Sequence, residues 1–174
     1  MTKPNPANPT LSISRPDLAS ALEQIGAEIE HQPLRSSALA RIMRETFHGS
    51  DAGGTWDWRM AYDLMQATAV QALLRGDNSE DDYYAAKLLA SRLLTETRRS
   101  EQQIRLQQFS TPLPFAALTV RAAAIRKGET VLEPSAGTGA PAAFAARAGA
   151  TLLLNEIDPF RQHLLRAVFG GEVT

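Results

Sequence analysis

The chain has 174 residues, a formal net charge of −1 at pH 7 and 44% hydrophobic residues, a balance typical of a globular protein with a sizeable core. The near-zero charge excludes a global basic field for nucleic acid, so DNA binding would require a local patch. The absence of cysteine excludes disulfides and thiolate zinc sites and indicates a reducing, cytoplasmic setting. The three histidines show no ligand spacing, so no metal site is predicted, and no apolar run reaches the ~18 residues of a membrane span.

The first part of the chain predicts a tail followed by helices. Residues 1–11 are rich in proline and asparagine and lack the charged-then-apolar order of a signal peptide, which predicts a disordered tail. Residues 12–105 are predicted to be helical, because apolar residues recur at helical spacing between turn signals. The first predicted helix starts at Ser14-Arg-Pro-Asp17. Three more helices are predicted at Ser36 to Phe47, Thr55 to Leu74 and Asp82 to Thr97.

Residues 106–174 predict a different unit, in which strands alternate with helices. The run Val131-Leu-Glu-Pro-Ser-Ala-Gly-Thr-Gly139 indicates a short apolar strand that enters a glycine-rich turn, and Thr151 to Leu154 indicates a second strand. Helices are predicted at 112–125, 139–148 and 159–168. The predicted fold class is therefore α/β, with a helical region preceding part of a parallel sheet domain.

The glycine-rich turn predicts a site for a nucleoside-containing ligand. Gly137 and Gly139 permit positive φ and a close approach of a ligand to the backbone. Glu156 follows Gly137 by nineteen residues, about the spacing at which doubly wound folds place an acid for ribose hydroxyls. A P-loop is a poor match because no Gly-Lys-Ser/Thr follows, whereas NAD stays open. Glu133 would repel a pyrophosphate and favour a cationic ligand such as a sulfonium, or it only accepts hydrogen bonds from the turn.

The same residues resemble a known family. Glu133-Pro-Ser-Ala-Gly-Thr-Gly139 followed by Asn155-Glu-Ile-Asp-Pro159 resembles the cofactor-binding half of class I S-adenosylmethionine-dependent methyltransferases, and most of all the adenine-N6 DNA methyltransferases. Gln108-Phe-Ser-Thr-Pro112 resembles the Phe-x-Thr-Pro element of those enzymes. Gly49 to Trp58 and Thr97 to Ser100 resemble bacterial strawberry-notch-like methylase/helicase proteins, in which a methyltransferase-like module precedes a helicase. The resemblance covers roughly residues 35–174 and implies a partial Rossmann-like class I methyltransferase fold preceded by a helical region.

The resemblance implies S-adenosylmethionine as the cofactor and assigns its contacts by position. The implied cofactor-binding residues are Phe109, Thr111, Pro112, Glu133, Pro134, Gly137, Gly139, Glu156 and Ile157. Thr111 would bind the methionine carboxylate in a pocket shaped by Phe109 and Pro112, and Glu133 would lie near the methionine ammonium. Glu156 would hold the ribose hydroxyls, and Ile157 would pack against the adenine. The alternative for Thr111-Pro112 is an ordinary helix start, and Asp158-Pro159 predicts a helix cap.

The sequence departs from the family at the target-base motif. Adenine-N6 methyltransferases carry Asn/Asp-Pro-Pro-Tyr/Phe to hold and stack the flipped base, and no such sequence follows Glu156. The chain is therefore expected to be the amino-terminal part of a longer protein and inactive alone, with DNA and a helicase region as partners in that longer protein. An open edge of the predicted sheet indicates self-association or a partner. The alternative function is a non-catalytic scaffold of a methylase/helicase protein.

Aromatic and basic residues leave two further alternatives. Trp56 and Trp58, beside Arg59, could stack on nucleotides, although packing between the helical and methyltransferase-like parts is favoured. Arg98 and Arg99 could meet DNA phosphates, although the glutamates among the neighbouring arginines favour a solvated helix end.

Overall fold

The structure is a computed structural model that describes residues 14–76, 81–96, 110–171 and 173. The described chain is mostly helical, with seven helices and one two-stranded parallel sheet. In chain order the elements are α1 (Arg15–His31), α2 (Ser36–Thr46), α3 (Trp58–Arg75), α4 (Asp82–Ala90), α5 (Leu113–Ala122), β1 (Thr130–Glu133), α6 (Ala140–Arg147), β2 (Thr151–Leu154) and α7 (Pro159–Phe169). Three sets of predicted features lie outside the described residues: the tail at 1–11, the basic pair Arg98 and Arg99, and Phe109. None of the described helices is long and apolar enough to cross a membrane.

The helix starts follow from side-chain caps, which satisfy backbone N–H groups that have no partner within the helix. Ser14 Oγ accepts from Asp17 N at 3.2 Å, which confirms the predicted start of α1. Asp57 Oδ1 accepts from Met60 N at 2.7 Å, so α3 begins at Trp58, three residues later than predicted. Asp158 confirms its predicted role as the N-cap of α7 by accepting from two backbone N–H groups.

The fourth helix is shorter than predicted, because α4 ends at Ala90 instead of continuing to Thr97. The Arg92 side chain donates to two carbonyl groups at the end of α1, at 3.2 and 2.9 Å. The chain then turns so that Leu93 and Leu94 pack against the core formed by α1, α2 and α3. These tertiary contacts override the helical spacing of the leucines.

The central element of the molecule is α3. Its first half packs with α1 and α2 in one hydrophobic cluster, and its second half packs with α5 and α6 in another. The helix is apolar on almost all sides, as expected of a helix buried among others. Both clusters include residues from each side of residue 106, where the sequence predicts the boundary between the helical and sheet parts. The helical part and the sheet part therefore share both hydrophobic clusters.

Among the described residues, helices cover one face of the sheet. β1 and β2 pair in parallel, with Leu132 opposite Leu153, and α6 forms the crossover between them. Val173 makes a further parallel bridge to Leu154. Helices α6 and α7 pack on the face that carries Leu152 and Leu154, whereas Leu132 and Leu153 on the other face are 66% and 53% exposed. Parallel sheets normally have both faces covered, so this open face is unusual.

Candidate functional site

The glycine-rich turn between β1 and α6 has the backbone conformation that the sequence predicts. Gly137 and Gly139 have φ values of +58° and +92°, in the left-handed region that side chains disfavour. A Cβ on Gly137 would lie 3.9 Å from Arg161 Nη1, an ordinary contact. A Cβ on Gly139 would lie 2.6 Å from Phe169 Cε2. Gly139 therefore lacks a side chain because α7 approaches it closely.

Glu156, the predicted ribose ligand, is 5% exposed and accepts backbone hydrogen bonds through both carboxylate oxygens. Oε2 accepts from Gly137 N at 2.7 Å, and Oε1 accepts from Asp158 N at 2.8 Å. This carboxylate thus joins the glycine-rich turn to the end of β2. A carboxylate has about four lone-pair positions, of which these two hydrogen bonds use two.

The outer part of the turn forms an open surface at the carboxyl ends of both strands. Glu133 is half-buried, and its Oε1 accepts from Ser135 N at 3.4 Å, in agreement with the capping interpretation. Asn155 Nδ2 donates to Pro134 O at 2.8 Å, which fixes the turn beside the end of β2. Ile157 is 77% exposed at the same edge. This edge therefore combines the Glu133 carboxylate, a positive-φ turn bonded to the buried Glu156 carboxylate, and an exposed apolar side chain.

Thr111 and Pro112 are exposed immediately before α5. Pro112 rather than Thr111 is the N-cap of α5, and no side-chain hydrogen bond caps this helix. The helix start predicted at Thr111-Pro112 is therefore confirmed, but Thr111 is not the cap. Helix α5 packs on α6, the helix that follows the glycine-rich turn.

Two buried ion pairs connect α3 to the start of α7. Asp63 Oδ1 accepts from Arg161 Nε and Nη2 at 3.0 and 2.8 Å, and the two side chains are 2% and 4% exposed. Arg59 Nη1 lies 2.7 Å from Asp158 Oδ2 and 3.9 Å from Asp63 Oδ2. Because Asp158 N also donates to Glu156, the ion pairs extend to the glycine-rich turn.

The electrostatics of this cluster favour a positive ligand. Burial opposes the charged form of Asp63 and raises the pKa of its carboxyl group, although Arg161 and Arg59 favour the carboxylate. Burial also opposes the charge of Arg161, but the Asp63, Glu156 and Asp158 carboxylates together outweigh it and raise the pKa of the guanidinium. By formal charge, the three carboxylates of the cluster exceed its two guanidiniums, and Glu133 adds a further negative charge. A pyrophosphate would be repelled here, whereas a cation would be attracted.

Gln66 connects α3 to the turn at a third point. Thr138 Oγ1 donates to Gln66 Oε1 at 2.9 Å, and Gln66 Nε2 donates to Glu96 Oε1. Arg59, Asp63 and Gln66 stand at i, i+4 and i+7, so they share one face of α3. None of these contacts was predicted from the sequence. The available signal was a row of polar residues at helical spacing in an otherwise apolar helix.

The tryptophans pack within the protein. Trp56 is 1% exposed, and its Nε1 donates to Gly49 O at 3.1 Å. Trp58 Nε1 donates to Asp51 Oδ2 at 3.2 Å, and the two indole rings meet edge to face at 5.8 Å. Their cluster also contains Leu164 of α7, in agreement with the packing interpretation. The buried ring of Trp56 is not accessible to a nucleotide base.

Comparisons with protein-family models, curated proteins and solved structures return no significant match. Across the described ranges, no group of three or more histidines and carboxylates is placed to hold a metal ion. Function is therefore inferred from the geometry of the carboxyl edge and from the resemblance of its residues to methyltransferase motifs.

Proposed function

We propose that the carboxyl edge of β1 and β2 binds S-adenosylmethionine, as the cofactor-binding portion of an adenine-N6 DNA methyltransferase-like protein. The observation that carries the proposal is the hydrogen bond from Gly137 N to Glu156, which brings a positive-φ turn and an acidic residue to one edge of a parallel β–α–β unit. The parallel bridge of Val173 to β2 supports one half of a Rossmann-like fold. In such folds, ligands lie across the carboxyl edge of the strands.

Each part of S-adenosylmethionine has a candidate partner here. The ribose hydroxyls would donate to the remaining lone pairs of Glu156, and the adenine would pack on exposed Ile157. The sulfonium and ammonium groups would be attracted by Glu133 and by the excess of carboxylates in the cluster. Ser110 Oγ is buried without a hydrogen-bond partner in the described part of the chain, so a ligand beside Thr111 could satisfy it.

Methyl transfer to adenine requires more than this edge. The exocyclic amino group needs a hydrogen-bond acceptor, and the flipped base needs a ring to stack on. In the adenine-N6 methyltransferases that the chain resembles, an Asn/Asp-Pro-Pro-Tyr/Phe motif supplies these groups. The carboxyl edge of β1 and β2 supplies the cofactor contacts alone.

Calorimetric titration tests the cofactor proposal. We expect S-adenosylmethionine and S-adenosylhomocysteine to bind with micromolar Kd and NAD to give no binding heat. Glu156→Gln replaces one anionic acceptor with a donor and is expected to weaken binding by about tenfold or more, since a hydrogen bond to a charged group contributes about 1.5–3 kcal/mol. Glu129→Gln, at the opposite end of β1, is the matched control and should bind like the unmodified chain. Folded protein that binds neither ligand would contradict the proposal.

A second candidate function, a non-catalytic interaction module, is favoured by the open face of the sheet. Leu132 and Leu153 are neighbours in register and more than half exposed. Within the described ranges, the outer edge of β1 pairs with no strand, so its backbone groups can pair with another chain. Both features suit self-association or a partner protein.

Self-association through this face has a direct test. We expect light scattering to show concentration-dependent association of the unmodified chain, and Leu132→Lys/Leu153→Lys to be monomeric because two charges replace the apolar contact. Leu88→Lys/Leu118→Lys adds the same charge at exposed leucines outside the sheet and should associate like the unmodified chain. A chain that stays monomeric at every concentration would exclude self-association through this face.

A further inference from the structure

One face of α3 contacts the candidate cofactor site at three points. The contacting pairs are Arg59 with Asp158, Asp63 with Arg161, and Gln66 with Thr138. The paired residues are 99, 98 and 72 positions apart in sequence. These contacts therefore belong to the tertiary structure and link the helical part of the chain specifically to the glycine-rich turn and the start of α7.

A continuous series of hydrogen bonds connects this face of α3 to the turn. Arg161, held by Asp63, donates its backbone N–H to Asp158 Oδ1 at 3.0 Å. Asp158 N donates to Glu156 Oε1 at 2.8 Å, and Glu156 Oε2 accepts from Gly137 N at 2.7 Å. A shift of Asp158 or Arg161 would therefore move the Glu156 carboxylate, because Asp158 supplies one of its two backbone donors.

We infer that Arg59 and Asp63 are positioning residues for the ribose contact, which hold Asp158 and Arg161 and thereby orient the Glu156 carboxylate toward ligand hydroxyls. This inference rests on the proposed function. It makes the helical part a component of the cofactor site, although neither positioning residue touches the ligand. Stability alone explains such pairs poorly, since a buried ion pair often contributes no more than a well-packed apolar replacement.

Selectivity between adenosine and 2′,3′-dideoxyadenosine separates a positioning role from a structural one. The two ligands differ only in the ribose hydroxyls, so the ratio of their Kd values reports the Glu156 contact. Partial loss of folded protein changes both Kd values equally and leaves the ratio unchanged.

We expect the unmodified chain to prefer adenosine by about tenfold or more, because the hydroxyls bind a charged acceptor. Asp63→Asn removes the charge that holds Arg161 but keeps the shape of the Asp63 side chain. This variant should lower the ratio of the two Kd values by at least about threefold. Arg59→Gln, which releases Asp158, should lower it in the same direction and provides a second variant if Asp63→Asn does not fold.

Asp82→Asn is the matched control. Asp82 Oδ1 accepts from Arg147 Nε at 2.7 Å, so this pair also joins the helical part to α6 but lies outside the series that reaches Glu156. Its Kd ratio should equal that of the unmodified chain. An unchanged ratio in folded Asp63→Asn and Arg59→Gln would overturn the inference and leave the proposed function intact. An unmodified chain that binds neither adenosine nor S-adenosylhomocysteine would instead overturn the proposed function, and this inference with it.

Discussion

Replacing Asp63 with alanine is expected to lower the free energy of unfolding by about 3–5 kcal/mol, because it removes the carboxylate oxygen that accepts from Nε and Nη2 of the buried Arg161. Deprotonation cannot relieve this cost, since arginine stays charged in proteins. Urea denaturation followed by circular dichroism measures the change, provided that the denaturant dependence of the unfolding free energy is unchanged.

Two variants set the scale for this result. Arg41→Ala removes surface pairs with Glu28 and Glu45 and should cost less than about 1 kcal/mol, because exposed pairs are screened by water. Asp63→Ala/Arg161→Leu removes both buried charges and should recover much of the stability lost in Asp63→Ala. Equal losses in Asp63→Ala and Arg41→Ala would contradict a buried, energetically coupled pair.

Gly139→Ala is expected to lower the free energy of unfolding by about 2–5 kcal/mol, from two separate causes. A side chain in the left-handed region, at φ +92°, costs about 1–2 kcal/mol. The new Cβ would also lie 2.6 Å from Phe169 Cε2 and 3.0 Å from Leu165 Cδ2, and such overpacking costs about 1–3 kcal/mol. Thermal and urea unfolding of the variant measure the sum.

Gly128→Ala separates the two causes. Gly128 has φ +85°, and among the described atoms none lies within 4 Å of its Cβ position. Only the backbone cost of about 1–2 kcal/mol should therefore appear. If Gly139→Ala were no more destabilising than Gly128→Ala, α7 would not pack against the turn as closely as described.

The regular elements were predictable because their signals are local. β2 spans Thr151–Leu154 as predicted, and the caps at Ser14 and Asp158 confirm two helix starts that three or four residues specify. The predicted extension of α4 to Thr97 was wrong because distant carbonyl groups of α1 bind Arg92. Apolar spacing could not reveal this, since Leu93 and Leu94 reach the core without being helical.

Part of the candidate site was also predictable, because some of its features have local sequence signals. The positive φ of Gly137 and the arrival of Glu156 at the turn follow from a glycine pattern and a β–α–β spacing. The roles of Arg59 and Asp63 depend on partners about a hundred positions away, at 99 and 98 residues, which no local pattern encodes. The contact of Gly139 with α7 was likewise invisible, because a glycine pattern does not distinguish room for a ligand from room for a helix. The cofactor itself stays a prediction.

Amide chemical shifts of isotopically labelled protein, recorded during addition of S-adenosylhomocysteine, test the central claim most directly. If the carboxyl edge binds the cofactor, the largest saturable shifts should fall on residues 133–139 and 155–158, and Glu156→Gln should reduce them. A separate cleft of about 1470 Å³ lies between α1, α3 and α7, includes Arg75 and His163, and is the alternative binding location in this experiment. Shifts confined to that cleft, or no shifts in a folded sample, would contradict the assignment of the turn as a cofactor site.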